Sequence, residues 1–164
     1  IMGKVIEFAE RGGFVFGICN GFQVLCETGL LPGALLHNDN QKFICKNIHL
    51  MVDNNHNILT KDLDKQTPLK IPVAHGEGRY FAKQSTLQDM RMNGQILFRY
   101  SNQYGEITNA ANPNGSLENI AGICNKDKNV FGMMPHPERA ADEMLGNTDG
   151  KRILDSILNN LLPR

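Results

Sequence analysis

Phe14-Val15-Phe16-Gly17-Ile18-Cys19-Asn20-Gly21-Phe22-Gln23 runs from an apolar stretch through Gly-x-Cys-x-Gly into a helical pattern. The order reads as a buried strand, a sharp turn bearing a cysteine, and a helix. Glycines on both sides of a nucleophile leave room for a strained turn, the logic of a nucleophile elbow. Cys19 is then expected to stand exposed at a strand end. Its sulfur would sit at a helix N-terminus, where the backbone dipole favours thiolate over thiol. Free cysteine is often only a small buried hydrophobe, and Cys26, Cys45 and Cys124 fit that description. The flanking glycines separate Cys19 from them.

Working outward, Val5 to Arg11 reads as a helix stopped by Gly12-Gly13. Phe14 to Ile18 is a short strand without polar alternation, as in a parallel sheet. Asn20 to Glu27 is the helix after the elbow, with Phe22, Leu25 and Cys26 on its packed face. Leu30-Leu31-Pro32-Gly33 is an apolar turn, and Lys42 to Asp53 is a strand. Asn57 to Pro68 is polar and charged, hence a surface excursion. Leu69 to Ala74 is a strand whose Pro72 predicts an edge or an end. His75-Gly76-Glu77-Gly78 follows as a glycine-rich loop.

Ser85 is placed to cap a helix over Thr86 to Asn93, and Ile96 to Tyr100 is a strand. Ser101 to Asn119 is irregular and holds the turn formers Ala111-Asn112-Pro113-Asn114-Gly115-Ser116. Ile120 to Cys124 and Val130 to Met134 are strands joined by a hairpin turn. Gly150 to Leu162 is an amphipathic helix built on Ile153, Leu154, Ile157, Leu158 and Leu161. The mixture predicts one α/β domain over residues 1–164, a doubly wound, mostly parallel sheet with flanking helices.

Bulk properties narrow the function. Lys+Arg and Asp+Glu both number 17, so the net charge is zero, which argues against nucleic acid or an anionic membrane as an obligatory partner. No apolar run is long enough to span a bilayer, and no signal-peptide pattern opens the chain. None of the four cysteines pair as C-x-x-C, so neither a zinc site nor a redox motif is indicated. Free thiols imply a reducing compartment, the cytoplasm.

A second motif follows a core strand: Pro135-His136-Pro137-Glu138-Arg139. The prolines push the residues before them out of helical geometry. An extended His-x-Glu puts His136 and Glu138 on one side of the chain, where the carboxylate can orient the imidazole. Alone, the segment is equally a surface histidine in a turn. Together with Cys19 it makes the set an activated thiol requires.

Gly-Ile-Cys-Asn-Gly-Phe-Gln with Pro-His-Pro-Glu-Arg resembles the triad class of glutamine amidotransferases, which share a flavodoxin-like sheet. Between them, Lys42-Phe43-Ile44-Cys45, Ile71 to Gly78, Ala111 to Ser116 and Gly132 to Arg139 resemble, in order, the glutaminase subunits of phosphoribosylformylglycinamidine synthases in purine biosynthesis. The resemblance implies that Cys19 attacks the carboxamide of L-glutamine. It makes His136 the proton carrier, Glu138 the group that orients it, and the Asn20 backbone N–H an oxyanion donor. Gln23 would contact the amino-acid end of the substrate, and the loop of His75, Gly76 and Glu77 would bind it through its backbone.

The resemblance further implies that ammonia passes to a large ATP-dependent synthetase subunit, with a small accessory subunit beside it. No G-x-x-x-x-G-K-[ST] loop occurs here. No cofactor is therefore expected in this chain, and ATP and Mg are expected on the synthetase. The Asn112–Ser116 loop and Arg139 are candidates for docking that partner. The family begins with a strand and a glycine-rich loop upstream of the elbow, and nothing before Gly3 corresponds to them. The chain is thus expected to be N-terminally truncated, with weak or no activity on its own. Two alternatives stand beside this reading: another cysteine hydrolase on the same fold, and an inactive regulatory or interaction subunit.

Overall fold

In the computed structural model, which describes residues 1–161, the chain opens with α1 (Met2–Glu10), β1 (Val15–Ile18) and α2 (Asn20–Glu27). Next come β2 (Ala34–His37), β3 (Ile44–Val52), β4 (Leu69–His75) and β5 (Glu77–Phe81). Then follow α3 (Gln84–Met92), β6 (Ile96–Ser101), β7 (Ile120–Cys124), β8 (Val130–Met133) and α4 (Asp149–Leu161). The final residue of the helix expected to end at Leu162 lies outside the described residues.

Six strands form one sheet in the order β1-β8-β7-β6-β3-β4. The α/β class expected from the sequence holds, but the sheet is mixed rather than mostly parallel. Only β1 and β8 run in parallel, and the other four neighbouring pairs are antiparallel. The reason is in the connections. A parallel neighbour needs a long crossover, which the hairpin turn between β7 and β8 is too short to make. Every residue of β7 and β8 is buried, which is why these strands lack the alternation of a half-exposed sheet.

The alternating side chains of the sheet feed two apolar layers. One contains Leu50, Ile71, Phe98, Phe131 and Met133 and is covered by Ile153 of α4. The other contains Ile96, Ile123 and Val130 and is covered by Phe22 and Leu25 of α2 and Leu87 and Met90 of α3. A two-stranded ribbon of β2 and β5, neither of them foreseen from the sequence, lies over α2. Its Tyr80 ring stacks on Phe22 with centroids 6.0 Å apart.

Other local expectations change. Residues 57–68 are not a plain surface excursion, because Leu59 and Leu63 enter the core and Asn57 bonds the chain to itself through Thr60. Ser85 caps nothing: α3 begins at Gln84 with Lys83 in the cap position. The segment His75–Gly78 is a corner between two strands instead of a loop. Pro72 does lie on an edge strand, β4, as its missing N–H requires.

Two features of this layout make a site. The parallel register sets Ile18 opposite Met133, so the residues after β1 and after β8 emerge at the same end of the sheet. Alternating strand directions bring the C-terminal end of β4 to that end too. The sheet curls enough for the His136 N–H to donate to the Pro72 carbonyl at 2.8 Å, tying the chain after β8 to β4.

Candidate active site

Cys19 occupies the turn between β1 and α2 with φ 54° and ψ −107°, a conformation that a side chain rarely adopts. Its backbone N–H donates to the Met133 carbonyl at 2.8 Å, which extends the β1–β8 ladder and helps to hold the strained residue. The glycine before it is a steric necessity. A Cβ at Gly17 would lie 2.6 Å from the carbonyl carbon of Gly21 and from Leu25, so α2 can fold back on β1 only if residue 17 has no side chain. Gly21 differs, since a Cβ there would meet nothing. The two glycines of the motif therefore have unequal roles.

The thiol of Cys19 is buried rather than exposed. Its Sγ lies 3.8 Å from the Ala74 carbonyl and 3.8 Å from Asn20 Oδ1. Burial pushes the thiol pKa up; the Asn20 backbone N–H and the Arg139 guanidinium pull against this, and Glu138 adds to it. The helix start does favour the thiolate, through the Asn20 N–H, as expected, but desolvation acts against it with the larger effect.

His136 follows β8 and is also buried. Its Nδ1 is 2.6 Å from Glu138 Oε1. A carboxylate oxygen only accepts, so Nδ1 carries a proton, and in the neutral ring Nε2 holds the lone pair. That nitrogen is buried without a partner. Glu138 itself stands in a 3-10 turn, Pro137–Ala140, and not in extended chain as the proline spacing predicted. The turn still brings its carboxylate to the ring. Arg139 Nε approaches the same oxygen at 3.6 Å.

Cys19 and His136 line one cavity of about 440 Å³ with Asn20, Gln23, His75, Gly76 and Glu77. Every sequence-predicted site residue except Glu138, which backs His136 from outside the lining, thus meets here. Gln23 on α2 and Glu77 on β5 are joined, Nε2 donating to Oε2 at 3.1 Å. The other Glu77 oxygen lies 3.4 Å from His37 Nε2. Gly76 presents its carbonyl to the Asn38 N–H at 2.9 Å.

Further residues extend beyond the sequence-based site. Arg139, expected on a docking surface, is in the cavity wall, and so is Phe43, whose place in a β-rich run suggested a strand interior. Asn38 is fully buried behind His75, although its run His37-Asn38-Asp39-Asn40 has the composition of a turn. The loop Asn112–Ser116 is an internal brace: Asn114 is fully buried and its Nδ2 donates to the Gly78 carbonyl at 2.7 Å.

Comparison with known proteins bears on this geometry. Residues 1–155 match the CobB/CobQ-like glutamine amidotransferase domain. Phosphoribosylformylglycinamidine synthase subunit PurQ of Aquifex aeolicus is 52% identical over 156 residues, covering 95% of this chain and 69% of its own length. The protein of the same name from Synechocystis is 57% identical over 150 residues, covering 92% and 67%. A solved structure of PurLQS from Thermotoga maritima aligns with TM-score 0.81 at 44% identity, over 96% of this chain and 66% of that one. The chain thus spans roughly two thirds of the length of these relatives. A glutamine amidotransferase structure from Thermotoga maritima, at 16% identity and TM-score 0.55 over 97% of this chain and 53% of that one, shares the fold.

Proposed function

The chain belongs to the CobB/CobQ-like glutamine amidotransferase family, as a relative of the PurQ subunits, and on that premise we propose that Cys19, His136 and Glu138 form its hydrolytic triad. The substrate is glutamine and the products are glutamate and ammonia. The observation that carries the reading is the 2.6 Å contact of His136 Nδ1 with Glu138, which leaves a basic Nε2 unpartnered beside the cavity of Cys19.

The steps follow from the groups present. The buried thiol stays protonated at rest, so attack is coupled to proton transfer from Sγ to His136 Nε2. Glu138 stabilises the imidazolium so formed. Sγ bonds to the carboxamide carbon, and the oxyanion takes the Asn20 backbone N–H. His136 then returns its proton to the amide nitrogen, the C–N bond breaks, and ammonia departs from a thioester. Water, deprotonated by His136, cleaves the thioester to release glutamate and the thiol. Gln23, Gly76 and Glu77 would hold the amino-acid end of the substrate, a role supported by their place in the lining of the same cavity.

The ammonia serves a large ATP-dependent subunit of a phosphoribosylformylglycinamidine synthase, the assembly after which the relatives are named. That subunit uses ATP and Mg to turn formylglycinamide ribonucleotide into the amidine, with a small accessory subunit in the complex. The whole acts in the cytoplasm. The test is Cys19→Ser in the complex with the synthetase subunit. Glutamine-dependent synthesis should vanish while synthesis from added ammonia continues. Retention of glutamine-dependent synthesis would refute the assignment.

A further inference from the structure

None of these steps uses the ring of His75, yet that ring is 4% exposed and stands in the wall of the same cavity. Its tautomer can be deduced. The Asn38 NH2 donates to the Lys42 carbonyl at 2.7 Å and to the His75 carbonyl at 2.9 Å, which fixes the amide orientation. The Asn38 oxygen therefore faces the Gly78 N–H at 3.1 Å and His75 Nδ1 at 3.1 Å. An amide oxygen only accepts, so His75 Nδ1 carries the proton and Nε2 carries the lone pair. A Cβ at Gly78 would run into the ring, so the corner after β4 is shaped around this imidazole.

His75 Nε2 is buried and has no partner. The same is true of His136 Nε2, and these two are the only such side-chain atoms among the described residues. Burial, and secondarily the nearby His136, hold the His75 pKa down to about 4, so its lone pair persists at neutral pH. A buried acceptor without a donor is costly. The mechanism gives His136 Nε2 the thiol proton; His75 Nε2, on a residue that lines the same cavity, is left calling for an N–H donor from outside the chain. A carboxamide NH2 is such a donor, and so is ammonia.

We propose that His75 Nε2 accepts an N–H of the substrate carboxamide, and of the ammonia it becomes, while His136 handles the transferred proton. No proton changes owner at His75. Its role is to discriminate: an ester or carboxylate oxygen in that place would set lone pair against lone pair. This rests on the glutaminase reading above and assigns, within it, the group that reads the amide.

The test compares glutamine with glutamate γ-methyl ester, which lacks the N–H, in the complex with the synthetase subunit. In His75→Asn and His75→Phe the preference for amide over ester, as a ratio of kcat/KM values, should fall about tenfold or more, whatever each rate does alone. An unchanged ratio overturns the proposal and leaves the glutaminase reading standing. A parent protein inert toward both substrates overturns that reading itself. On the unchanged protein the ester, as a competitor, should bind about tenfold more weakly than glutamine. Equal or tighter binding overturns the role given to His75 even if neither variant folds.

Discussion

Gln23 of α2 and Glu77 of β5, fifty-four positions apart, meet through a 3.1 Å hydrogen bond on the wall of the cavity. This contact couples the helix that begins at Cys19 to the strand corner that carries His75. It also fixes which end of the Gln23 amide faces the cavity, since the NH2 is committed to the carboxylate and the oxygen is left available. Glu77→Ala frees Gln23 to rotate. The KM for glutamine should rise roughly fivefold, the worth of one modest hydrogen bond, while kcat changes little. Steady-state glutaminase kinetics in the assembled synthase decide it. A drop in kcat at unchanged KM would show that the pair acts on chemistry instead of binding.

The unequal glycines of the elbow give a stability prediction. Gly17→Ala forces a methyl group into the backbone of Gly21 and should cost about 1–3 kcal/mol or more, because backbone cannot step aside as a side chain can. Gly21→Ala meets open space inside a helix and should be neutral or stabilising by about 0.5–1 kcal/mol. Urea unfolding midpoints of the two variants provide the comparison. Equal losses would mean that the motif needs both glycines for the same reason.

Asn114 offers a test of the loop that composition presented as a surface. Its Nδ2 reaches the Gly78 carbonyl and its Oδ1 takes the Ser116 N–H at 3.1 Å. Ser116 Oγ in turn accepts the Tyr80 N–H at 3.0 Å. Asn114→Ala leaves the Gly78 carbonyl and the Ser116 N–H without their Asn114 partners and should cost about 1–3 kcal/mol, read as a lowered unfolding midpoint. A variant as stable as the parent would make the loop a plain connector.

Stability should form a plateau near neutral pH and fall on both sides. On the acid side, an unfolded histidine takes a proton near 6.5, but folded His75 does so only at about 4. Between those values the unfolded chain binds more protons, so stability present above 6.5 is lost as pH falls toward 4, by up to about 3 kcal/mol. On the alkaline side, unfolded thiols ionise near 9.0, while burial holds folded Cys26 up to about 12 and Cys124 to about 11. The folded chain then binds more protons, and stability falls as pH rises past 9.0. Urea midpoints across this range should show both limbs, and His75→Phe should flatten the acid one. An acid limb that persists unchanged in that variant would assign it to other groups.

The elbow, the Pro-His-Pro-Glu segment and the order of helices and strands were legible because each depends on neighbours in the chain. A glycine two residues from a cysteine, or a proline beside a histidine, restricts backbone torsions locally. The helix Asn20–Glu27 was bounded correctly for that reason. What escaped was mostly what depends on long-range pairing. Strand β2 has no periodic signal and exists through its register with β5. Asn38 and Asn114 carry the composition of turns and are buried because distant carbonyls and N–H groups receive them. Leu59 and Leu63 sit in polar surroundings along the chain and enter the core.

The sequence by itself determined the family resemblance, the α/β class and the residues assigned to the triad, since those rest on residue types at short spacing. Only the tertiary structure decided that the sheet is mixed and curled, that β1 and β8 lie in parallel register, and that β4 closes the site. It also decided which way the thiol is pushed. Cys19 stands at a helix start in the sequence, which favours ionisation, but folding removes its water, and desolvation acts in the opposite direction with the larger effect. Burial is a property of the whole packed chain, so no local pattern of residues could have announced it.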